Sequence, residues 1–271
     1  MLQQLYLGDE WEIKPAGGQT GEAYFACSGE QKLFLKRNSS PFIAVLSAEG
    51  IVPRLLWTKR LETGDVVTAQ RWLKGRELRR NEMKSSAVAQ LLRKIHRSEA
   101  LLGMLKRLGK KTLTPVALLE RVANKKRAFP FISEVVENAF CFLQHSVDEI
   151  SFTEHAVCHS DINHNNWLLN EEGHLYLIDW DNAVEADPVL DISMLLYQYV
   201  DKSDWRNWLK SYGLDCTPDL KLRLHWYSIA QILLLLFGFW KNGESSQAER
   251  LEKDLMFLNR DALSMRMTGL T

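Results

Sequence analysis

Alternation of apolar and polar positions dominates the first eighty residues. EAYFA (22–26) and KLFLK (32–36) set aromatic and aliphatic side chains at strand spacing on either side of CSGEQ, and the pattern predicts a hairpin. LLWTKRL (55–61) and DVVTAQRWL (65–73) bracket Thr63 and Gly64 and predict a second. Between them, Ser39, Ser40 and Pro41 open a short helix, FIAVLSAEG, that ends near Gly50. Ahead of the first hairpin, PAGGQTG (15–21) carries Gly17, Gly18 and Gly21, which let a backbone turn or approach a ligand closely.

From Ser85 the period changes. Val88, Leu91, Leu92 and Ile95 recur at helical spacing, as do Leu101, Leu102, Leu105 and Leu108, and VVENAFCFL (135–143) continues the pattern. Two strand-like runs, NWLL (166–169) and LYLID (175–179), flank the turn NEEG, and helices are expected again beyond Pro188. The apolar IAQILLLLFGFW (229–240) covers twelve residues, short of a bilayer span, and reads as a buried core helix. The expected class is α+β, a small sheet with one helix followed by a mainly helical part.

A length of 271 residues allows one or two domains, and 46% hydrophobic with 25% charged residues is ordinary for a folded, water-soluble chain. No secretory signal is evident in MLQQLYLGDEWEIK, so the default compartment is the cytoplasm. Cys27, Cys141, Cys158 and Cys216 form no CxxC pair, which suggests neither a zinc site nor a disulfide framework. The net charge is zero but unevenly spread: Arg71 to Arg127 holds 17 Lys and Arg against four Glu, and Cys141 to Trp205 holds one Lys against 13 Asp and Glu. The acidic stretch could bind metal and the basic one an anion or an acidic partner, or the two could neutralise each other across the fold.

The chemistry concentrates at residues 159–169, HSDINHNNWLL. Asp161 precedes Asn166 by five positions, and Asp179 ends the next strand-like run. A carboxylate, an amide and a second carboxylate so arranged suit phosphoryl transfer: Asp161 could take the proton of an attacking hydroxyl while Asn166 and Asp179 offer oxygen ligands to magnesium. Each residue taken singly reads more readily as a turn former at a strand end; the chemical reading rests on the three together. A metal hydrolase built on His159, Asp161 and His164 is also open to these ligand types, but leaves Lys36 and the glycines without a part. His159 reads as a support for the loop, Asp191 as a carboxylate that caps loop amides from a helix start, and Asp181 as an additional metal contact. Trp226, Tyr227 and Trp240 read as core.

HSDINHNN, followed by LYLIDWDNA and DPVLDIS, resembles the aminoglycoside phosphotransferase and choline kinase family, small-molecule kinases with a two-lobed, protein-kinase-like fold. KLFLKRNSSPFIAVLSAEGIVP and VTAQRWLKGREL carry the resemblance through nearly the whole chain, toward its CcrZ-type branch of bacterial cell-cycle regulators. The resemblance implies an N-terminal nucleotide-binding lobe (1–75) and a C-terminal catalytic and acceptor-binding lobe (76–271). It implies ATP and Mg2+, with Asp161 as base, Asn166 and Asp179 as metal ligands, and Lys36 on the nucleotide phosphates, paired with Glu49. It also implies a glycine loop at Gly17, Gly18 and Gly21, and an adenine contact from the main chain near Arg71 and Trp72. The departures are Ser160 where protein kinases carry arginine, Asp179-Trp180-Asp181 in place of DFG, and a glycine loop that does not spell G-x-G-x-x-G. The branch implies a small neutral sugar such as ribose or 2-deoxyribose as acceptor, and the division protein FtsZ as partner. A kinase-fold scaffold and a kinase for choline or aminoglycosides remain alternatives.

Overall fold

In a computed structural model the structure describes residues 7–8, 10–17, 22–151 and 154–267. The chain opens with strands β1 (Glu12–Gly17), β2 (Ala23–Ser28) and β3 (Gln31–Arg37), helix α1 (Phe42–Ala48), and strands β4 (Leu55–Arg60), β5 (Val66–Arg71) and β6 (Gly75–Glu77). Four helices come next: α2 (Ser86–His96), α3 (Glu99–Arg107), α4 (Pro115–Lys126) and α5 (Glu134–Ser146). Strands β7 (Ala156–Cys158), β8 (Trp167–Asn170), β9 (Leu175–Leu177) and β10 (Val184–Ala186) lead into α6 (Val189–Tyr199), α7 (Trp205–Tyr212), α8 (Pro218–Asn242) and α9 (Ser245–Met267). The expected α+β class holds.

These elements gather into two compact units. One comprises Met1–Arg79, Glu99–Met104 and Asn163–Asn182; the other comprises Arg80–Ser98, Leu105–Ile162 and Ala183–Thr271. The first contains an antiparallel sheet in the order β1-β2-β3-β5-β4 and a three-stranded one in the order β6-β8-β9. Both expected hairpins form, and Gly64 turns the second with φ +91°, a left-handed conformation that glycine adopts without steric cost. Strand alternation buries Ala26, Leu33, Leu35, Val67 and Ala69 on one face, where Trp11, Ile13 and Trp57 pack against them. The same period of two turns Lys36 to the opposite face from Leu33 and Leu35. Truncating the fully buried Leu35 to alanine would cost about 2–5 kcal/mol, the usual range for a core leucine.

Strand β1 is a correction to the sequence reading. Pro15, Ala16 and Gly17, read as loop, are its last residues, and the register against β2 shifts between Pro15 and Gly17, as at a β-bulge. The alternation of Trp11 and Ile13 with Glu12 and Lys14 is too brief to declare a strand by itself. Gly18 and Gly21 lie outside the described residues.

In the second unit, α8 packs against α4, α5, α6 and α9. Thr217 caps its start by accepting the Leu220 N–H at 3.1 Å, Pro218 occupies the first turn, and left-handed Gly243 stops it. The helix is therefore 25 residues long, about twice the apolar run seen in the sequence. By length and composition alone it could cross a membrane, yet Leu224, Trp226, Tyr227, Ile229, Ile232 and Leu233 are buried, as a core helix requires. Strands β7 and β10 form an antiparallel pair in the same unit, with Cys158 opposite Val184. That pair delivers the chain to His159 at one end and, through Asp187, to the start of α6 at the other.

Candidate active site

In the second unit, the loop after β7 is held by a carboxylate. Asp191, in the first turn of α6, accepts the His159 N–H on Oδ2 at 2.7 Å and the Ser160 N–H on Oδ1 at 2.9 Å. Ser160 has φ +66°, an uncommon value for a residue with a side chain, and the two amide bonds sustain it. His159 is fully buried, and Asp161, two residues on, is partly buried. Both Asp191 oxygens are thus taken up by loop amides.

Behind Asp191 stands a pair of residues that the sequence did not single out. His96, at the end of α2, places Nε2 3.1 Å from Asp191 Oδ2 and Nδ1 2.8 Å from the Tyr212 hydroxyl. Burial, then the nearby Cys158 and Asp191, push the Tyr212 phenol well above its ordinary pKa, so it keeps its O–H. A carboxylate oxygen can only accept, so hydrogen-bond logic assigns a neutral imidazole its hydrogen on Nε2 and the Tyr212 O–H to Nδ1. Among the described residues, His96, Cys158 and Asp191 also form the one grouping of three metal-type ligand atoms, all within 4.8 Å. Both His96 nitrogens and both Asp191 oxygens are spent within the chain, and the Cys158 thiol, raised by burial, points to the Asp187 carbonyl at 3.3 Å. This is a brace. The grouping contains none of His159, Asp161 and His164, so the metal-hydrolase alternative finds no support in it.

Asp187 has a separate task. Fully buried, it takes Arg223 Nε at 2.9 Å together with Arg223 Nη2, and accepts the Val189 N–H at 2.9 Å. The Arg223–Asp187 fork thereby joins α8 to the start of α6.

The first unit holds the other half of the predicted set. Asn163 accepts the Asn165 N–H and starts a 3-10 turn, His164–Asn166, that feeds β8. Asn166 is buried, and its carbonyl accepts the Ile178 N–H at 2.8 Å, which ties it to the residue before Asp179. Asp179 has φ +64°, a second strained residue at a predicted chemical position. Trp180 anchors the adjoining turn: its indole N–H donates to the Leu177 carbonyl at 2.7 Å and its ring meets Phe42 of α1 edge-on at 5.8 Å. Leu177 in turn donates to the Ile51 carbonyl at 2.9 Å, fixing the strand end to the chain beyond α1. With this frame fixed, Lys36 Nζ lies 2.8 Å from Asp181 Oδ2 and 3.6 Å from Asp179 Oδ1.

The carboxylates at Lys36 are therefore Asp181 and Asp179; Glu49 occupies the C-cap of α1, where its N–H turns back to Val45 and Ser47. The amides of Arg71 and Trp72 donate within the chain, to the carbonyls of Arg54 at 2.8 Å and Lys32 at 3.3 Å. The Trp72 ring is part-exposed and packs edge-on against Phe25 at 4.7 Å. Gly17 ends β1 opposite Ala23. Asp179, Asp181 and the side-chain amide oxygen of Asn166 are hard oxygen donors of the kind magnesium takes, and a cationic ammonium already resides at two of them. On donor chemistry the set fits Mg2+.

The profile of the phosphotransferase enzyme family matches residues 12–217, which takes in both halves of this set. The chain belongs to that family. Solved structures with this fold include the choline kinase LicA from Streptococcus pneumoniae, with a TM-score of 0.67 at 18% identity over 92% of this chain and 93% of that one. A choline/ethanolamine kinase family protein from Mesorhizobium loti gives 0.68 at 16% identity, covering 98% and 95%. A spectinomycin phosphotransferase solved with ADP and spectinomycin gives 0.63 at 15%, covering 93% and 92%. The kinase-like fold expected from the sequence is thereby established. Among curated sequences, a protein without assigned function from Metamycoplasma hominis is 38% identical over 66 residues. That stretch spans 24% of this chain and 13% of the relative.

Proposed function

We propose that this phosphotransferase moves the γ-phosphoryl group of ATP to a hydroxyl of a small neutral sugar, ribose or 2-deoxyribose. The observation that carries the kinase part is the engagement of Lys36 with Asp179 and Asp181 in a chain of this family, beside an Asn166 tied to the strand end. Nucleotide binding falls to the N-terminal lobe, residues 1–75, with Lys36 on the phosphates and the glycine stretch at Gly17, Gly18 and Gly21 beside them. Asn166 and Asp179 hold Mg2+, which when bound offsets phosphate charge. Asp161 accepts the proton of the attacking hydroxyl, on a loop whose shape Asp191, His96 and Tyr212 maintain.

The neutrality of the acceptor is supported by where the acidic run spends its charge. Asp179 and Asp181 meet Lys36; Glu185 meets His155 at 2.9 Å and Lys106 at 3.4 Å; Asp187 meets Arg223; Asp191 meets His96 and two amides. Thirteen residues of acidic sequence, 179–191, thus keep no uncommitted carboxylate to attract a polycation. Purified protein incubated with ATP, Mg2+ and a panel of sugars, amino alcohols and aminoglycosides, with ADP release followed, tests both parts. Fastest release with ribose-type sugars is expected; preference for aminoglycosides or choline would reverse the acceptor assignment, and no ADP release with any acceptor would count against the kinase.

The cellular side of the proposal is a cytoplasmic cell-cycle role through FtsZ, and it rests on the resemblance of the sequence. Lys110, Lys111, Lys125 and Arg127 are exposed and offer such a partner a basic surface, whereas Lys126 is committed to Glu137 at 2.9 Å. Co-sedimentation of this protein with FtsZ polymers, with absence of co-sedimentation at low salt as the negative result, decides it.

A further inference from the structure

Lys36 has two carboxylates, one on each side of Trp180 in the chain, and its ammonium stands against oxygens of both. All three side chains reach solvent: Lys36 is 24% exposed, Asp179 54% and Asp181 52%. Ion pairs this wet are individually weak and exchange readily. Two carboxylates and one ammonium sum to a single negative charge, so the group is already half neutralised before any ligand arrives. A divalent ion added to it alone must push against a lysine a few ångströms away, and like charges at that range repel appreciably even in a wet site.

We propose that Lys36 is an internal placeholder for the divalent cation. In the nucleotide-free protein its ammonium occupies the Asp179–Asp181 pair; the metal takes the carboxylates only when a polyphosphate arrives with it to receive the displaced ammonium. Asp181 then has a defined part. It is the nearer partner of the lysine at rest and a carboxylate for the cation once the lysine has left. The position of Asp181 comes from the backbone: left-handed Asp179 turns the chain, the 3-10 turn Trp180–Asn182 succeeds it, and the buried indole of Trp180 locks it. Cation and nucleotide binding are in consequence mutually dependent, each supplying the partner that the other sets free. This inference rests on the kinase reading and adds to it an order of events.

Binding to the full-length protein tests it without any turnover assay. Free Mn2+ is measured by electron paramagnetic resonance as protein is titrated in without nucleotide, for the wild type, Lys36→Gln and Lys36→Met. Retention of ATP in equilibrium dialysis is measured separately with and without Mn2+, and circular dichroism checks that each variant is folded. The wild type should bind Mn2+ alone weakly, and Mn2+ should raise its retention of ATP. Both variants should bind Mn2+ alone about tenfold or more tightly than the wild type, the scale of effect expected when a unit charge so near a divalent ion is removed. If folded variants bind Mn2+ no better than a wild type whose ATP retention still depends on Mn2+, the placeholder is overturned and the kinase reading stands. If the wild type retains no ATP with or without Mn2+, the kinase reading falls and takes the placeholder with it.

Discussion

The Asp191 cluster of the second unit and the Lys36 cluster of the first treat their charges in opposite ways. The Asp191–His96 pair is buried and bonded: the two side chains are 1% and 2% exposed, and each ring nitrogen and carboxylate oxygen has a partner inside the chain. Around Lys36 the charges are solvated and the pairing distances unequal, one short and one long. Under the proposed exchange at Lys36, the difference tracks the task. A group that only keeps a loop in shape gains by dehydration, since low dielectric strengthens every satisfied bond and makes departure costly. A group that must trade partners in each cycle has to remain wet, or the exchange would strand a bare charge.

The largest effect should come from Asp161→Asn, which keeps the volume of the side chain but removes the proposed proton acceptor. Turnover should fall about 100- to 10,000-fold, the usual contribution of general-base catalysis, with ATP binding unchanged in dialysis. A variant that keeps more than half the wild-type rate under chemistry-limited conditions would deny Asp161 that part. Next in size, Asp191→Ala strips the brace and leaves His96 Nε2 and two loop amides without their acceptor. A loss of about 3–5 kcal/mol in urea unfolding is expected, as for other buried pairs broken on one side. Asp179→Ala serves as the exposed counterpart and should change stability by less than about 1 kcal/mol. Equal losses in the two variants would erase the distinction between a buried brace and a wet exchange site.

A pH dependence is expected in the buried region. His225 on α8 is 5% exposed, and burial lowers its pKa from 6.5 to about 4 despite the opposing pull of Asp261. The unfolded chain therefore binds a proton near pH 6.5 that the folded chain refuses until about pH 4. Stability from this residue is complete above pH 6.5 and declines as pH falls toward 4, by at most about 3 kcal/mol. Thermal melts from pH 7.5 to 4.5 should show a steeper decline for the wild type than for His225→Phe. Parallel curves would place the acid sensitivity elsewhere.

How much of the molecule is readable in the sequence depends on how far apart the partners are in the chain. Asp161 and Asn166 stand out through their five-residue spacing in HSDINHNN at the head of NWLL, Asp179 because it ends LYLID, and Lys36, at the end of KLFLK, through the family resemblance. The Lys36–Asp181 pair joins positions 145 apart, and nothing local to either residue announces it. His96 is harder still: it falls on the apolar face of α2 with Val88 and Leu92, the place where a core histidine also sits, and its partners are 95 and 116 residues away. The true length of α8 escapes for a different reason. Counting apolar residues from Ile229 passes over Thr217-Pro218, a helix start whose signal is hydrogen bonding and a fixed φ, not hydrophobicity.

The discontinuity of the first unit bears on how the protein is made. Strand β6 finds its neighbour in β8, and Lys36 its carboxylates, in residues 163–182, long after the five-stranded sheet has left the ribosome. With roughly ninety residues separating β6 from β8, ordinary elongation imposes a wait on the order of five to twenty seconds. During that interval β6 lacks its partner strand and Lys36 its two carboxylates, so the first unit can be completed only after residues 163–182 have been made.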